Sequence, residues 1–396
     1  MKFTFLNKKS PPINFSFFPN IFNSPQKILK ILEKKPEDPI FITDTTIIEN
    51  RLKLINKSLK TLCPKNPHTI AYSFKTNYDI AKNIKFNQAE IVSKYELDMA
   101  LKQKYSYNSI IFNGPNKGHL HSLLSHPLTL NLDNFSELNN LLTYKNKIKA
   151  NIGIRINSNF CPSHFGFNIE SGEAQKAILL LRKNNISLNG LHLHIGSDIR
   201  EPQIYQKYSL ILKKFILDNF SQQNIPLKYI DLGGGYPSHS IIPGTQTQSF
   251  PDINQYIRSI IIPLKSILDQ DTTIILEPGR FLVDDSTVLV GKVIDSKTIS
   301  NFQTATLNTT INMLPSAWYH QLIIKNYNKN FLPKKNHSKT INTKIYGCTC
   351  QESDLLYQGK TPFLTPGDYF VFFCVGAYNQ SQSTDFIFQK PESIFI

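Results

Sequence analysis

Gly190-Leu191-His192-Leu193-His194-Ile195-Gly196 is a short run of strand-forming residues closed by glycine. Beyond it Tyr205, Tyr208, Leu212 and Phe215 recur at helical spacing, and Tyr229-Ile230-Asp231-Leu232-Gly233-Gly234 is a second run like the first. Strand, helix and strand in that order form a βαβ unit, which makes the two strands parallel. Outward from this unit, similar runs stand at Thr69–Lys75, Glu90–Ser93, Ser109–Gly114, Leu128–Asp133, Asn151–Asn157 and Thr273–Gly279, eight in all. Helix signals fill most of the intervals. Ala174, Ala177, Ile178 and Leu181 share one face, and Asn134, three residues before Glu137, reads as a capping box. Eight such units over about 210 residues predict an α/β fold of the (β/α)8 barrel type.

In such a barrel the C-terminal ends of the strands form the active-site rim, and Lys75, Ser93, Asn113, Asp133, Asn157, His194, Gly233 and Glu277 all fall there. Polar residues also end strands simply because loops begin there, so the rim reading rests on the set. After about residue 285 the pattern changes to strand-like runs without long helices, at Ser286–Ile294, Lys344–Gly347 and Tyr369–Val375. The expected organisation is an N-terminal segment, 1–44, joining the β domain; a barrel over 45–284; and a C-terminal antiparallel β domain over 285–396. Asn326 to Lys339 reads as a polar, Lys/Asn-rich loop.

The 396 residues give room for about two domains. With 44 Lys+Arg against 29 Asp+Glu the net charge is +15, but the basic residues are scattered singly, so no nucleic-acid footprint is expected. No apolar stretch approaches the roughly 20 residues of a membrane helix, and Lys8, Lys9, Pro11 and Pro12 break up the N-terminus, so no membrane span or signal peptide is expected. Five dispersed cysteines fit free thiols in a reducing compartment, with the cytoplasm as the expected location.

Several residues could carry chemistry. Lys75 is either a solvated strand terminus or an amine half-desolvated in a barrel mouth, able to attack a carbonyl and form a Schiff base. Gly233-Gly234-Gly235 is either a tight turn or bare backbone that an anion can approach. Glu277, in Glu277-Pro278-Gly279-Arg280, is either neutralised by Arg280 or poised to stabilise charge on a heterocyclic nitrogen. His192 and His194 face one side of a strand; without a third ligand at suitable spacing no metal site is assigned, and an imidazole at the rim could stack on an aromatic cofactor, with Ser197 beyond it bonding a phosphate. Cys348-Thr349-Cys350 holds either inert buried thiols or a proton donor.

In order and placement these motifs resemble the fold-type III pyridoxal-phosphate decarboxylases, the family of ornithine and diaminopimelate decarboxylases. Tyr72-Ser73-Phe74-Lys75-Thr76-Asn77 resembles the family's Schiff-base lysine motif, and Gly190 to Ser197 resembles that of the histidine stacked on the cofactor ring. Gly233 to Gly235 resemble the phosphate loop, Glu277 to Arg280 the motif facing the pyridine nitrogen, Gly347 to Asp354 the cysteine motif, and Gly376-Ala377-Tyr378 the late tyrosine at the phosphate. The resemblance implies pyridoxal 5′-phosphate as cofactor and a homodimer with active sites at its interface. It also implies a decarboxylation in which Lys75 hands the cofactor to the substrate amine, Glu277 supports the ring nitrogen and Cys350 returns a proton to carbon.

The chain departs from the pattern at the substrate's far end. Gln351 stands where diamine-forming members carry an acid, with Glu352 or Asp354 as shifted substitutes. Leu314, in Leu314 to His320, stands where diaminopimelate enzymes carry an arginine. The expected substrate is therefore a modified or conjugated diamino acid of siderophore or other specialised metabolism, with Trp318, His320 and Gln351 near its distal end. The alternatives are free diaminopimelate, ornithine or lysine as substrate, an amino-acid racemase, or a non-catalytic relative.

Overall fold

The computed structural model describes residues 25–34, 37–144, 146–220, 226–241, 252–334 and 340–396. The chain forms two compact units: Arg51–Pro237 with Pro251–Phe281, and the N-terminal part through Asn50 with Ser238–Phe250 and Leu282–Ile396.

The first unit is the barrel. Its strands are β1 (His68–Ser73), β2 (Gln88–Ile91), β3 (Ile110–Phe112), β4 (Thr129–Leu132), β5 (Asn151–Asn157), β6 (Gly190–Leu193), β7 (Tyr229–Asp231) and β8 (Thr273–Leu276). Each pairs in parallel with the next, and β8 returns to β1, with Ile274 opposite His68. A two-residue strand, Phe167–Asn168, attaches to the end of β5. The strands are almost wholly buried, as expected when both faces of a parallel sheet are covered.

Helices Phe135–Leu142, Glu173–Lys183 and Pro202–Asn219 stand where the periodicity puts them. The Asn134 cap accepts from Glu137 N at 2.9 Å, but the Glu137 carboxylate reaches back one residue further than a capping box does, to Asp133 N at 2.9 Å. Ser93 and Glu96 repeat the arrangement with Val92 N. Two strands, β6 and β7, end earlier than their apolar runs, where Gly196, Gly233 and Gly235 adopt positive φ and turn the chain out of the ladder. The rim residues of β6 and β7 therefore sit on short turns.

The second unit is a mixed, mainly antiparallel sheet. Its central strand, Thr287–Ile299, pairs antiparallel with Ile40–Thr43, Phe302–Leu307 and Tyr369–Phe373. Two pairings are parallel: Ile40–Thr43 with Glu392–Phe395, and Phe302–Leu307 with Thr340–Tyr346. Successive residues of the central strand alternate between two cores, Val288 and Val290 in one, Leu289 and Val293 in the other. Within 1–44, residues 1–24 and 35–36 lie outside the described residues. The expected polar loop over 326–339 is corrected at its start: Asn326 and Tyr327 belong to the strand Ile323–Tyr327, held against Tyr369–Phe373. Residues 335–339 are outside the described set. Among the described residues, no helix is long and apolar enough to cross a membrane.

Candidate active site

Lys75 follows β1 in the single turn Phe74–Thr76 and its side chain is 36% exposed. Its Nζ donates at 2.7 Å to Glu90 Oε2, on β2, which also accepts from the Ser73 hydroxyl. The register sets Ser73 opposite Glu90, so the acid lies beside the turn that carries the lysine. Sequence reasoning missed Glu90 as a partner. The available signal was an acid in the otherwise buried run of β2, which needs a cation or donors nearby.

Glu277, just past β8, is buried and accepts from Asn113 Nδ2 at 2.6 Å. His192 on β6 sets Nε2 3.3 Å from the other Glu277 oxygen, and Asp231 on β7 completes a buried cluster whose donor atoms lie within 4.8 Å of one another. Burial pushes the Glu277 carboxyl up, but His192, a hydrogen bond with Asp231 and the charge of Lys75 outweigh it and hold the group below the usual carboxylate range. Burial and then the Glu277 charge push Asp231 well above its ordinary value, so the proton retained by the two acids sits on Asp231. The floor thus offers one fixed carboxylate, Glu277, to a ring nitrogen.

His194 is half-buried, and its Nδ1 accepts from Gly234 N at 3.3 Å. Burial, followed by the charges of Arg155 and Lys75, lowers its pKa to about 3, so the imidazole is neutral. Arg155 on β5 stands 3.6 Å from Asp133 and 4.8 Å over the Phe165 ring. The glycine triplet is demanded by crowding between strand exits. A Cβ on Gly233 would lie 2.3 Å from the Leu193 carbonyl, on Gly234 2.2 Å from the Glu277 carbonyl, and on Gly235 2.3 Å from the Gly196 carbonyl. Gly233 N donates to Asp231 and Gly234 N to His194, so the amide left for an anion is that of Gly235. Ser197 is exposed nearby in sequence, and Arg280 is buried. Gly279 is needed because a Cβ there would lie 2.2 Å from Thr76 Oγ1, in the turn that carries Lys75.

Two of the rim residues are structural. Ser93 caps a helix, and Asn157 Nδ2 donates to the carbonyls of Ser163, Phe165 and Gly166. Asn131 and Tyr229 extend the polar interior beyond Asn113 and were not anticipated. Tyr229 OH donates to Asn131 Oδ1 at 2.6 Å, and burial raises its pKa well above the ordinary value, so it remains a donor.

The remaining candidates lie in the β unit. Cys350, Gln351 and Glu352 are exposed on the turn between Thr340–Tyr346 and Leu355–Pro362. Asp354 requires a correction: it is fully buried, accepts from Ile311 N at 2.7 Å, Thr349 N at 3.1 Å and Thr349 Oγ1 at 2.7 Å, and so shapes the turn instead of offering a carboxylate to substrate. Burial, then Asp354, pushes the Cys348 thiol up to about 11, leaving it inert near neutral pH. Trp318 is exposed and His320 buried, while Tyr378 is half-buried with φ of +65°. Leu314 belongs to the β unit's core.

A family model described as "Pyridoxal-dependent decarboxylase, pyridoxal binding domain" matches residues 46–284. The diaminopimelate decarboxylase of Buchnera aphidicola from Acyrthosiphon pisum is 28% identical over 391 residues, covering 90% of this chain and 88% of its own. That of Helicobacter pylori strain 26695 is 29% identical over 320 residues, covering 75% of each. Among solved structures, diaminopimelate decarboxylase of Methanocaldococcus jannaschii in complex with L-lysine superposes with a TM-score of 0.79 at 23% identity, over 93% of this chain and 89% of that one. The arginine decarboxylase of Paramecium bursaria Chlorella virus bound to agmatine gives 0.75 at 21% identity, over 94% and 100%. These two structures share the fold. The barrel mouth suits pyridoxal phosphate: it has an amine at the rim, a buried ionised acid on the floor, a neutral imidazole against the glycine turn, and the Gly235 amide at a position where no Cβ fits.

Proposed function

This chain belongs to the pyridoxal-dependent decarboxylases, and from that premise we propose that its substrate is free diaminopimelate, from which it removes an α-carboxylate. That it is a pyridoxal-phosphate-dependent amino-acid decarboxylase follows from the family itself. The observation carrying the finer reading is that relatives matching 75 to 96% of this chain are diaminopimelate decarboxylases. A modified or conjugated diamino acid is the second reading, favoured by the neutral Gln351 and by Leu314, which has no charge to offer a remote carboxylate.

Bound pyridoxal phosphate supplies an electron-accepting ring conjugated to the substrate's α-nitrogen, which takes up the electron pair left when carbon dioxide departs. Lys75 Nζ would be the amine that holds the cofactor by its carbonyl carbon, oriented by the Glu90 carboxylate 2.7 Å away. His194, neutral in this setting, would cover one face of the ring without adding positive charge. Glu277 would meet the ring nitrogen as an anion and so favour its protonated form. Gly235 N, Ser197 and Tyr378 are assigned to the phosphate, together with Arg280 at the neighbouring turn. Cys350 Sγ delivers the proton that replaces the lost carboxylate on the α-carbon. On this reading the protein is a cytoplasmic homodimer, supported by five cysteines that form no disulfide among the described residues and by the exposed Cys350 turn, which a second subunit would cover.

The test is carbon dioxide release by purified, cofactor-loaded protein across diaminopimelate, ornithine, lysine, arginine and carboxylate-conjugated diamino acids. The expected result is a kcat/KM for diaminopimelate at least about tenfold above any other, the scale of one lost charged hydrogen bond. Turnover of a conjugate alone would move the assignment to the second reading.

A further inference from the structure

Asn113, one residue past β3, reaches both buried carboxylates of the barrel mouth. Its Nδ2 donates to Glu277 Oε1 at 2.6 Å and to Glu90 Oε1 at 3.2 Å. An amide nitrogen carries two hydrogens, so each acid can receive one. The next residue in the network decides which end of the amide faces them. Asn131 Nδ2 donates to Asn113 Oδ1 at 2.8 Å, so a flipped Asn113 would oppose two NH2 groups and turn its carbonyl toward two anions. Tyr229 fixes Asn131 in turn, donating to its Oδ1 at 2.6 Å.

Tyr229 lies across the barrel in space cleared by two glycines on adjacent strands. A Cβ on Gly153 would stand 2.0 Å from its hydroxyl, and one on Gly190 2.4 Å from its ring. The donors therefore run one way, from Tyr229 to Asn131 to Asn113 to the acids, and each orientation is set by the one before. Two carboxylates held to one donor nitrogen repel one another, so the groups around them decide whether both stay aimed at it. Lys75 flanks Glu90 and His192 flanks Glu277, with Asn113 between the acids.

We propose that Asn113 is a positioning residue that aims both Glu90 and Glu277, and that Asn131 and Tyr229 act by fixing its amide. The inference rests on the reading that Glu277 meets the cofactor's ring nitrogen, and deepens it. Asn113→Asp keeps the shape and the acceptor for Asn131 but puts a third carboxylate between the other two. Asn113→Leu removes the donors without adding charge.

Apo forms of both variants, of Tyr229→Phe and of Glu277→Gln are titrated with pyridoxal phosphate by visible absorbance, and the loaded enzymes are assayed for kcat and KM. A donor role makes Asn113→Asp the worse of the pair, with cofactor affinity down about 100-fold against about 10-fold for Asn113→Leu, and about threefold for Tyr229→Phe. Under the same role kcat falls in each while KM stays within about twofold. A space-filling role ranks Asn113→Asp, the isostere, as the milder, and that order overturns the proposal. Thermal unfolding of the apo forms checks folding. Where Asn113→Asp does not fold, wild-type affinity in both Asn113→Leu and Tyr229→Phe overturns it equally. If Glu277→Gln binds and turns over as wild type does, the failure lies in the reading of Glu277 instead.

Discussion

A single methyl group at Gly234 should damage the site in two ways at once. The added Cβ would lie 2.2 Å from the Glu277 carbonyl oxygen and 3.1 Å from its carbon, whereas ordinary contacts begin at 3.4 Å, so the two turns must separate by about 1 Å. Neither turn is free to move: Glu277 N donates to Gly233 O at 2.8 Å and Leu232 N to Ile275 O at 2.9 Å. Overpacking costs about 1–3 kcal/mol and one ladder hydrogen bond about 1 kcal/mol, so Gly234→Ala should lose about 2–4 kcal/mol of stability. The same 1 Å displacement carries the Glu277 carboxylate away from Asn113 and His192, and cofactor affinity should fall about 100-fold, the scale of a charged hydrogen bond lost. Urea unfolding of the apo protein and titration with pyridoxal phosphate measure the two effects. Gly118→Ala is the control: with φ of +66° and nothing within 4 Å of its Cβ, it should cost about 1–2 kcal/mol through backbone strain and leave cofactor affinity unchanged. If Gly234→Ala unfolds within 1 kcal/mol of wild type and binds the cofactor within threefold, the crowding argument for the glycine triplet is refuted.

Lys75→Ala should abolish the visible absorbance of the loaded protein while the apo form unfolds as wild type does; persistent absorbance would reassign the cofactor-binding amine. Cys350→Ala should retain that absorbance and lose about 100-fold in kcat, as removal of a general acid does, and a wild-type kcat would take Cys350 out of the reaction. His194 predicts a pH slope. Its folded pKa of about 3 lies below the ordinary 6.5, so as pH falls through 6.5 the unfolded chain takes up a proton that the native ring refuses, and stability declines. At about 1.4 kcal/mol per pH unit this amounts to at most 2 kcal/mol between pH 6.5 and 5, nearer 1 for a ring partly open to solvent. His194→Gln should lack that part of the slope; equal slopes in the two proteins would show that the ring does not resist protonation.

The strands were legible because a parallel barrel buries both faces, so each strand prints as an unbroken β-branched run such as Thr273 to Leu276. The rim was legible because Lys75, His194 and Glu277 interrupt those runs at their ends. What lay further inside was not. Asn113 is an ordinary strand terminus in sequence, and nothing local says that its two hydrogens will meet acids from β2 and from the turn after β8, 23 and 164 residues away. Tyr229 is likewise one more strand former until the glycines at 153 and 190 are seen to vacate its path. In the β unit, the parallel pairing of Phe302–Leu307 with Thr340–Tyr346 joins segments that no short turn connects, and the Thr-rich first strand carries little apolar alternation to announce it.

Asp354 shows the same limit from the opposite side. An acid four residues after a cysteine motif has the chemistry of a substrate anchor, and only its three donors reveal that the turn has already used it. The consequence bears on specificity. With Asp354 committed internally and Leu314 in the core, the exposed residues of that motif besides Cys350 are Gln351, Glu352 and Ser353, of which Glu352 alone carries a charge. A neutral amide beside one carboxylate can pair with a zwitterionic end, bearing both an ammonium and a carboxylate, more readily than with a bare ammonium, because the amide donates to the carboxylate while Glu352 takes the ammonium. On the proposed reading, that balance of charge would suit diaminopimelate better than ornithine or lysine. Glu352→Gln should accordingly raise KM for diaminopimelate about tenfold, the scale of a charged hydrogen bond lost, and an unchanged KM would remove Glu352 from the substrate's distal end.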